Sequence, residues 1–287
     1  MKIVSKAMKI VLFVGVLVVL MVQLPSKLFS YVVTRDIDQQ GKFNIQISED
    51  KNAFEYYKSK LSNEEKLYYD ELKEAFNNFQ RTMYTKQSNI TVDQSVKVYN
   101  ALHYDHPEMF WTQAIKTSYY RGSKIINRRI PIILYYNFSE EEVLKYKESM
   151  EKMTSQIVEE ANKLKTDEEK AKFFHDKLIL MTEYETEKDY SLPYYQSLAS
   201  LFNEGKAVCA GYAYAYKHIM DELNIDTIII LGKGIGQDHA WNRVKLDDKW
   251  QNVDVTWDDY GSIMVGSSYF LLEDEIFNMT HVANLEL

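Results

Sequence analysis

Three residues in the second half of the chain have the types and the order that nucleophilic catalysis needs. Cys209 stands in GKAVCAGYAYAYKHI, residues 205–219, and is the only cysteine among 287 residues. His239 stands in QDHAWNRV and Asp254 in NVDVTW. A cysteine attacks as its thiolate, so it needs a base that can take its proton. An imidazole serves best when a carboxylate fixes its tautomer and stabilises its cation. Alone, each residue has a plainer reading. A lone cysteine is usually a small buried hydrophobe, a histidine a hydrogen-bonded structural group, and an aspartate a turn or edge residue. Only the conjunction of the three carries a catalytic reading.

The elements around them must bring the three together. YAYAY alternates like a strand, but the longer stripe Tyr212, Tyr216, Ile219, Leu223 has helical spacing. Asn224 is expected to cap that helix at its C-terminus. Cys209 then sits at or just before the helix N-terminus, where free N–H groups and the positive dipole end favour a thiolate. The same N–H groups can donate to a developing oxyanion. Gly205 and Gly211 are expected to leave room for a substrate. His218 lies further along the same helix on roughly the opposite face, so it cannot pair with Cys209 and reads as a packing or surface residue.

DTIIILGKG, HAWNRVKL and KWQNVDVTW read as antiparallel strands. If Asp247 and Asp248 form the turn between the last two, His239 lies opposite Thr256. Asp254 is then its diagonal neighbour on the same face. A register shift of one residue would separate them. GKGIGQD, residues 232–238, follows neither glycine order of a phosphate-binding loop and is expected to be a flexible loop leading to His239.

GKAVCAGYAYAY, HAWNRV and VDVTWDD closely resemble the motifs of the transglutaminase-like superfamily of cysteine enzymes, which share a papain-like core. The resemblance runs from about Thr182 to Asp259. It implies a catalytic triad of Cys209, His239 and Asp254. Two departures stand out. LDDKW lacks the glycine often found between the His and Asp strands, and no second oxyanion donor is evident, Gln196 and Tyr184 being the candidates. The stretch after Asp259 is short and is expected to cap the site only slightly.

The expected fold is α+β: a papain-like, transglutaminase-like core in which the helix bearing the cysteine packs on an antiparallel sheet. A mainly helical region with a β-hairpin precedes it. Residues 139–287 are expected to be the catalytic domain and residues 31–138 an accessory region that opens, over 31–50, with a linker. One helix is expected from Ala53 to Phe79, with a capping box at Ser62 and Glu65, and another from Val92 to Leu102. Two strands follow within Trp111 to Phe138, joined by a turn near Gly122 and Ser123. Ser139, with Glu142, and then Thr166 or Asp167 open two further helices.

Composition narrows the class. The chain is 46% hydrophobic and 26% charged, as a globular protein is. A single cysteine excludes an internal disulfide. The scattered histidines and the absence of HExxH assign no metal, and no cofactor is expected. A net charge of −8, with no basic block outside the N-terminus, argues against nucleic acid. The 22 tyrosines are expected to serve packing and a wet surface. Lys2, Lys6 and Lys9 precede an apolar run, Ile10 to Val22. Residues 1–30 therefore read as a signal peptide or membrane anchor, with anchoring favoured because no A-x-A site follows.

The expected activity is thiol-dependent acyl transfer on peptide or side-chain amides outside the membrane, to water or to an amine. Protein or peptide, cell-wall peptide included, is the expected substrate. A catalytically silent binding module of the same fold is the alternative, and an amidase releasing glycan from asparagine a weaker third.

Overall fold

The computed structural model describes residues 53–120, 122–186, 194–261 and 264–284, all within the unit Gln46–Leu287. The expected signal or anchor segment and the linker at 31–50 lie outside the described residues. Among the described residues, no helix is long and apolar enough to cross a membrane.

Capping chemistry sets the helix starts. The single helix expected over 53–79 is instead two, α1 (Tyr56–Ser59) and α2 (Asn63–Asn77). Ser62 takes an extended backbone and caps α2, so the chain turns there rather than running through. Its side chain accepts from the Glu65 N–H while Glu65 accepts from the Ser62 N–H, the reciprocal box expected from the sequence. The same arrangement opens α3 (Val92–Asp105) at Thr91 and Gln94. It opens α4 (Glu140–Ala161) at Ser139 and Glu142, and α5 (Asp167–Met181) at Thr166 and Glu169. Each box satisfies two backbone groups that a helix end otherwise strands, and caps of this kind contribute about 1 kcal/mol.

The hairpin expected between Trp111 and Phe138 is present as β2 (Thr112–Lys116) and β3 (Ile132–Tyr136), paired antiparallel. A two-residue strand, β1 (Thr82–Met83), extends it on the far side of β3. Two residues are too few to show an alternation, which is why the sequence hides it. A short parallel pair, β4 (Glu183–Tyr184) and β5 (Lys206–Ala207), flanks α6 (Leu198–Glu204).

The Cys209-bearing helix, α7 (Cys209–Glu222), packs on β6 (Thr227–Gly234) and β7 (Gln237–Leu246). With β8 (Lys249–Val253) and β9 (His281–Ala283) these form an antiparallel sheet in the order β8-β7-β6-β9. Leu223 caps α7, and Asn224 follows it in the left-handed region at φ 57°, one position later than a C-cap. Two four-residue helices, α8 (Val255–Asp258) and α9 (Asp274–Phe277), lie between β8 and β9.

Most of the buried hydrophobic side chains between Leu61 and Val255 form one cluster. Tyr68, Leu72 and Phe76 of α2 thus share an interior with Tyr212, Tyr216 and Ile219 of α7. Fully burying residues of this size contributes roughly 1.5–3 kcal/mol each. The buried tyrosines find partners for their hydroxyls: Tyr68 on Ser95 at 2.9 Å, Tyr69 on Asp105 at 3.2 Å and Tyr216 on the Ala171 carbonyl at 3.1 Å. Tyr57 donates to the carbonyl of Ile229 in β6. Lys217 and Asp221 pair at 2.7 Å inside this interior, and together they hold the backbone of Phe54 through its carbonyl and N–H.

Candidate active site

Cys209 is the first residue of α7, as its sequence position predicts. The preceding residue, Val208, takes the N-cap position and has no side chain that can cap. Four other helices carry capping boxes; this one leaves the first-turn N–H groups to be met by something else. Cys209, as the first helical residue, stands at those groups and at the positive end of the helix dipole. Gly211 does not serve a substrate as expected. A Cβ there would stand 2.7 Å from the Ala207 Cβ and 3.2 Å from the Tyr195 carbonyl, so the glycine lets α7 approach its own chain. Gly205 ends α6 in the left-handed region at φ 65°.

The β7–β8 register is the one that the sequence suggested. Leu246 faces Lys249, and Asp247 and Asp248 form the turn with φ of 47° and 62°. Two positive φ values mark a type I′ turn, a conformation Asp tolerates without the glycine. The third strand is shorter than expected, however. It ends at Val253, and Asp254 caps α8 by accepting from the Trp257 N–H at 3.2 Å. Thr256 is therefore helical and does not face His239 across a ladder. The carboxylate reaches the imidazole all the same: Asp254 Oδ2 lies 2.7 Å from His239 Nε2.

That contact leaves Nδ1 as the ring nitrogen available to the thiol. Cys209 and His239 line one cavity of about 630 Å³. Burial opposes charge on His239, but hydrogen bonds to Asp254 and Cys209, with their negative charge, outweigh it and raise the imidazole to about 9. Asp254 is itself buried, which opposes its ionisation. Hydrogen bonds from His239 and His281 prevail and hold the carboxyl below its ordinary range. The arrangement brings a thiol, an imidazole and a carboxylate into one continuous set.

GKGIGQD is not a flexible loop. Gly234 pairs with Gln237, so only Ile235 and Gly236 form the turn and the ladder runs on to place Gly232 opposite His239. The glycines serve the rings around the site. A Cβ on Gly232 would fall 2.6 Å from Cη2 of Trp241 and one on Gly234 2.7 Å from Cζ2 of Trp257.

The sequence reading missed His281. It lies on β9 opposite Gly234, is fully buried, and places Nε2 3.1 Å from Asp254 Oδ2. Its ring stacks on Phe277 at a centroid distance of 4.0 Å. The C-terminal stretch thus contributes more than the slight cap expected. A three-residue strand gives no periodic signal, and HVA carries no motif. A second buried pair, His175 and Asp258 at 3.1 Å, ties α5 to the end of α8, and Asp258 also accepts from the Tyr269 N–H. His218 is a packing residue, hydrogen-bonded to Thr154 at 3.1 Å.

Tyr184, Glu185 and Gln196 line the cavity together with Leu231 and Asn284. Both candidate second oxyanion donors therefore stand on its wall. Among the described residues, His239, Asp254 and His281 offer three potential metal-ligand atoms within 4.8 Å of one another. The two short N···O contacts within that group are those of an imidazole–carboxylate hydrogen-bond set.

Residues 154–255 match the model of the Transglutaminase-like superfamily. The chain is similar in structure to a TGase crystal structure, with a TM-score of 0.38 and 20% identity over 55% of this chain and 48% of that one. It is also similar to a protein of Cytophaga hutchinsonii provisionally described as a cysteine protease, with a TM-score of 0.35 and 13% identity over 59% of this chain and 65% of that one. The chain spans less than two thirds of the length of either. No curated protein matches it.

Proposed function

We propose, for a chain whose residues 154–255 carry a transglutaminase-like core, that it is a thiol enzyme catalysing acyl transfer from peptide or side-chain amides. The observation that carries the reading is His239: one ring nitrogen is held by Asp254 at 2.7 Å while the ring shares a cavity with Cys209.

In this reading the chemistry has two halves, acylation and deacylation. Cys209 Sγ gives its proton to His239 Nδ1 and attacks the amide carbon. The carbonyl oxygen becomes an oxyanion, met by the first-turn N–H groups of α7 and by a second donor from Gln196 or Tyr184. As the intermediate collapses, His239 returns the proton to the leaving nitrogen and the C–N bond breaks. An acyl-thioester remains on Cys209. Water or an amine, deprotonated by His239, then attacks it and frees the thiol. Asp254 keeps Nδ1 directed at the sulfur and stabilises the imidazolium in each step.

We propose protein or peptide substrates, cell-wall peptide among them, acted on outside the membrane. The cavity and the apolar run Ile10 to Val22 support this. Alkylation of Cys209, the only thiol, tests the dyad. The rate near neutral pH is expected to be high in the intact protein and to fall in His239→Ala. Equal rates in both would replace this reading with a binding module of the same fold.

A further inference from the structure

Asp254 is held by more than its partner in the triad. Its Oδ2 receives His239 Nε2 at 2.7 Å and His281 Nε2 at 3.1 Å, and its Oδ1 receives the Trp257 N–H at 3.2 Å. A buried carboxylate survives as an anion only if hydrogen bonds and charge replace the water it has lost. His281 supplies one of these from a different strand. An ionised carboxylate only accepts, so His281 Nε2 must be the protonated nitrogen. Thr280 Oγ1, 2.9 Å from His281 Nδ1, occupies the other side of the ring. The ring is pinned in its plane by Phe277 and Trp257, at centroid distances of 4.0 Å and 4.2 Å. Tyr269, Trp241 and the His239 ring, the last at a centroid distance of 5.5 Å, also surround it, and Asp254 is the carboxylate that faces it.

We infer that His281 is a positioning residue for the proposed reaction: it holds Asp254 ionised and turned so that Oδ2 is presented to His239 Nε2. This rests on the triad reading above. The set is then a relay of four side chains, Cys209, His239, Asp254 and His281, carried by α7, β7, the cap of α8 and β9. His281 touches neither substrate nor reacting atoms. It acts by keeping negative charge where the His239 imidazolium needs it.

Two substitutions separate hydrogen bonding from packing. His281→Gln keeps an N–H donor near the Nε2 position and loses the ring. His281→Phe keeps the stacked ring and loses the donor. The measured quantities are the His239 titration by NMR, the Cys209 alkylation rate and the thermal midpoint. If His281 positions Asp254, His281→Phe lowers the His239 pKa by about one unit and slows alkylation near neutral pH about tenfold. His281→Gln restores most of both, even where it costs stability.

A merely structural role gives the reverse order: Phe is tolerated, Gln destabilises, and His239 titrates unchanged in any variant that folds. That result overturns the inference. The native protein supplies a test that needs no variant, since the 15N shifts of His281 must show a protonated Nε2. An unprotonated Nε2 also overturns it. An ordinary His239 titration in the native protein, seen before any change at His281, would instead remove the triad reading itself.

Discussion

A Cβ placed on Gly234 would stand 2.7 Å from Cζ2 of Trp257 and 3.2 Å from Cδ2 of His239. The absence of a side chain on β6 is what lets the indole and the imidazole lie side by side, with ring centroids 5.5 Å apart. Gly234→Ala is therefore expected to displace both rings. Overpacking of this kind costs about 1–3 kcal/mol. Urea unfolding should register the loss, and Cys209 alkylation should slow more than the stability change alone explains, because His239 is one of the rings that must move.

The His239 imidazole gives a pH dependence of definite sign. Its pKa rises from 6.5 to about 9 because hydrogen bonds to Asp254 and Cys209 outweigh burial. A pKa raised in the folded state means that the pair stabilises the fold fully below about 6.5 and that this contribution is lost as pH rises through about 9. Thermal midpoints of the intact protein should decline across that window. His239→Gln should flatten the decline. An identical decline in both proteins would assign it to other groups.

Asp254→Asn removes the charge and keeps the shape. Nε2 of His239 would then face an amide that does not stabilise an imidazolium, and the tautomer would be free to reverse. Turnover on any substrate found is expected to fall by about 10³ or more, with KM changed far less. Steady-state kinetics beside a circular-dichroism check of folding would measure this. Combining Asp254→Asn with Cys209→Ala should add almost nothing to the effect of Cys209→Ala, since residues acting as one unit are not additive.

The His175–Asp258 pair, 3.1 Å apart and with neither side chain exposed, is expected to matter for stability rather than chemistry. Breaking a buried pair by removing one partner costs about 3–5 kcal/mol. Asp258→Leu leaves His175 without that partner and releases the Tyr269 N–H, so a lowered denaturant midpoint is expected. At temperatures where the variant remains folded, Cys209 reactivity should be near that of the parent. A large loss of reactivity with unchanged stability would move this pair into the catalytic set.

The geometry of the candidate site was legible wherever a local rule governs it. Helical spacing from Tyr212 to Leu223 located Cys209 at a helix start, and the Asp247–Asp248 turn fixed the β7–β8 register. Capping boxes gave the starts of α2 and α4 from residue types alone, and the start of α5 was narrowed to Thr166 or Asp167, of which Thr166 is the cap. What stayed hidden depends on contacts between distant segments. His281 reaches Asp254 only because β9 joins β6, a pairing of three residues with no alternation to read. The role of Gly232 and Gly234 depends on rings from β7 and α8. The helix at Val255–Asp258 replaced an expected strand because Asp254 prefers to cap, which apolar alternation in VDVTW conceals.

The uncapped start of α7 has a consequence for selection. Replacing Val208 by Ser or Asp would give the helix the cap that α2 to α5 possess and is worth about 1 kcal/mol. The new side chain would occupy the first-turn N–H groups that the proposed oxyanion requires. Screens for heat resistance and screens for turnover should therefore pull position 208 in opposite directions. A library at that single residue would trace the exchange rate between durability and catalysis.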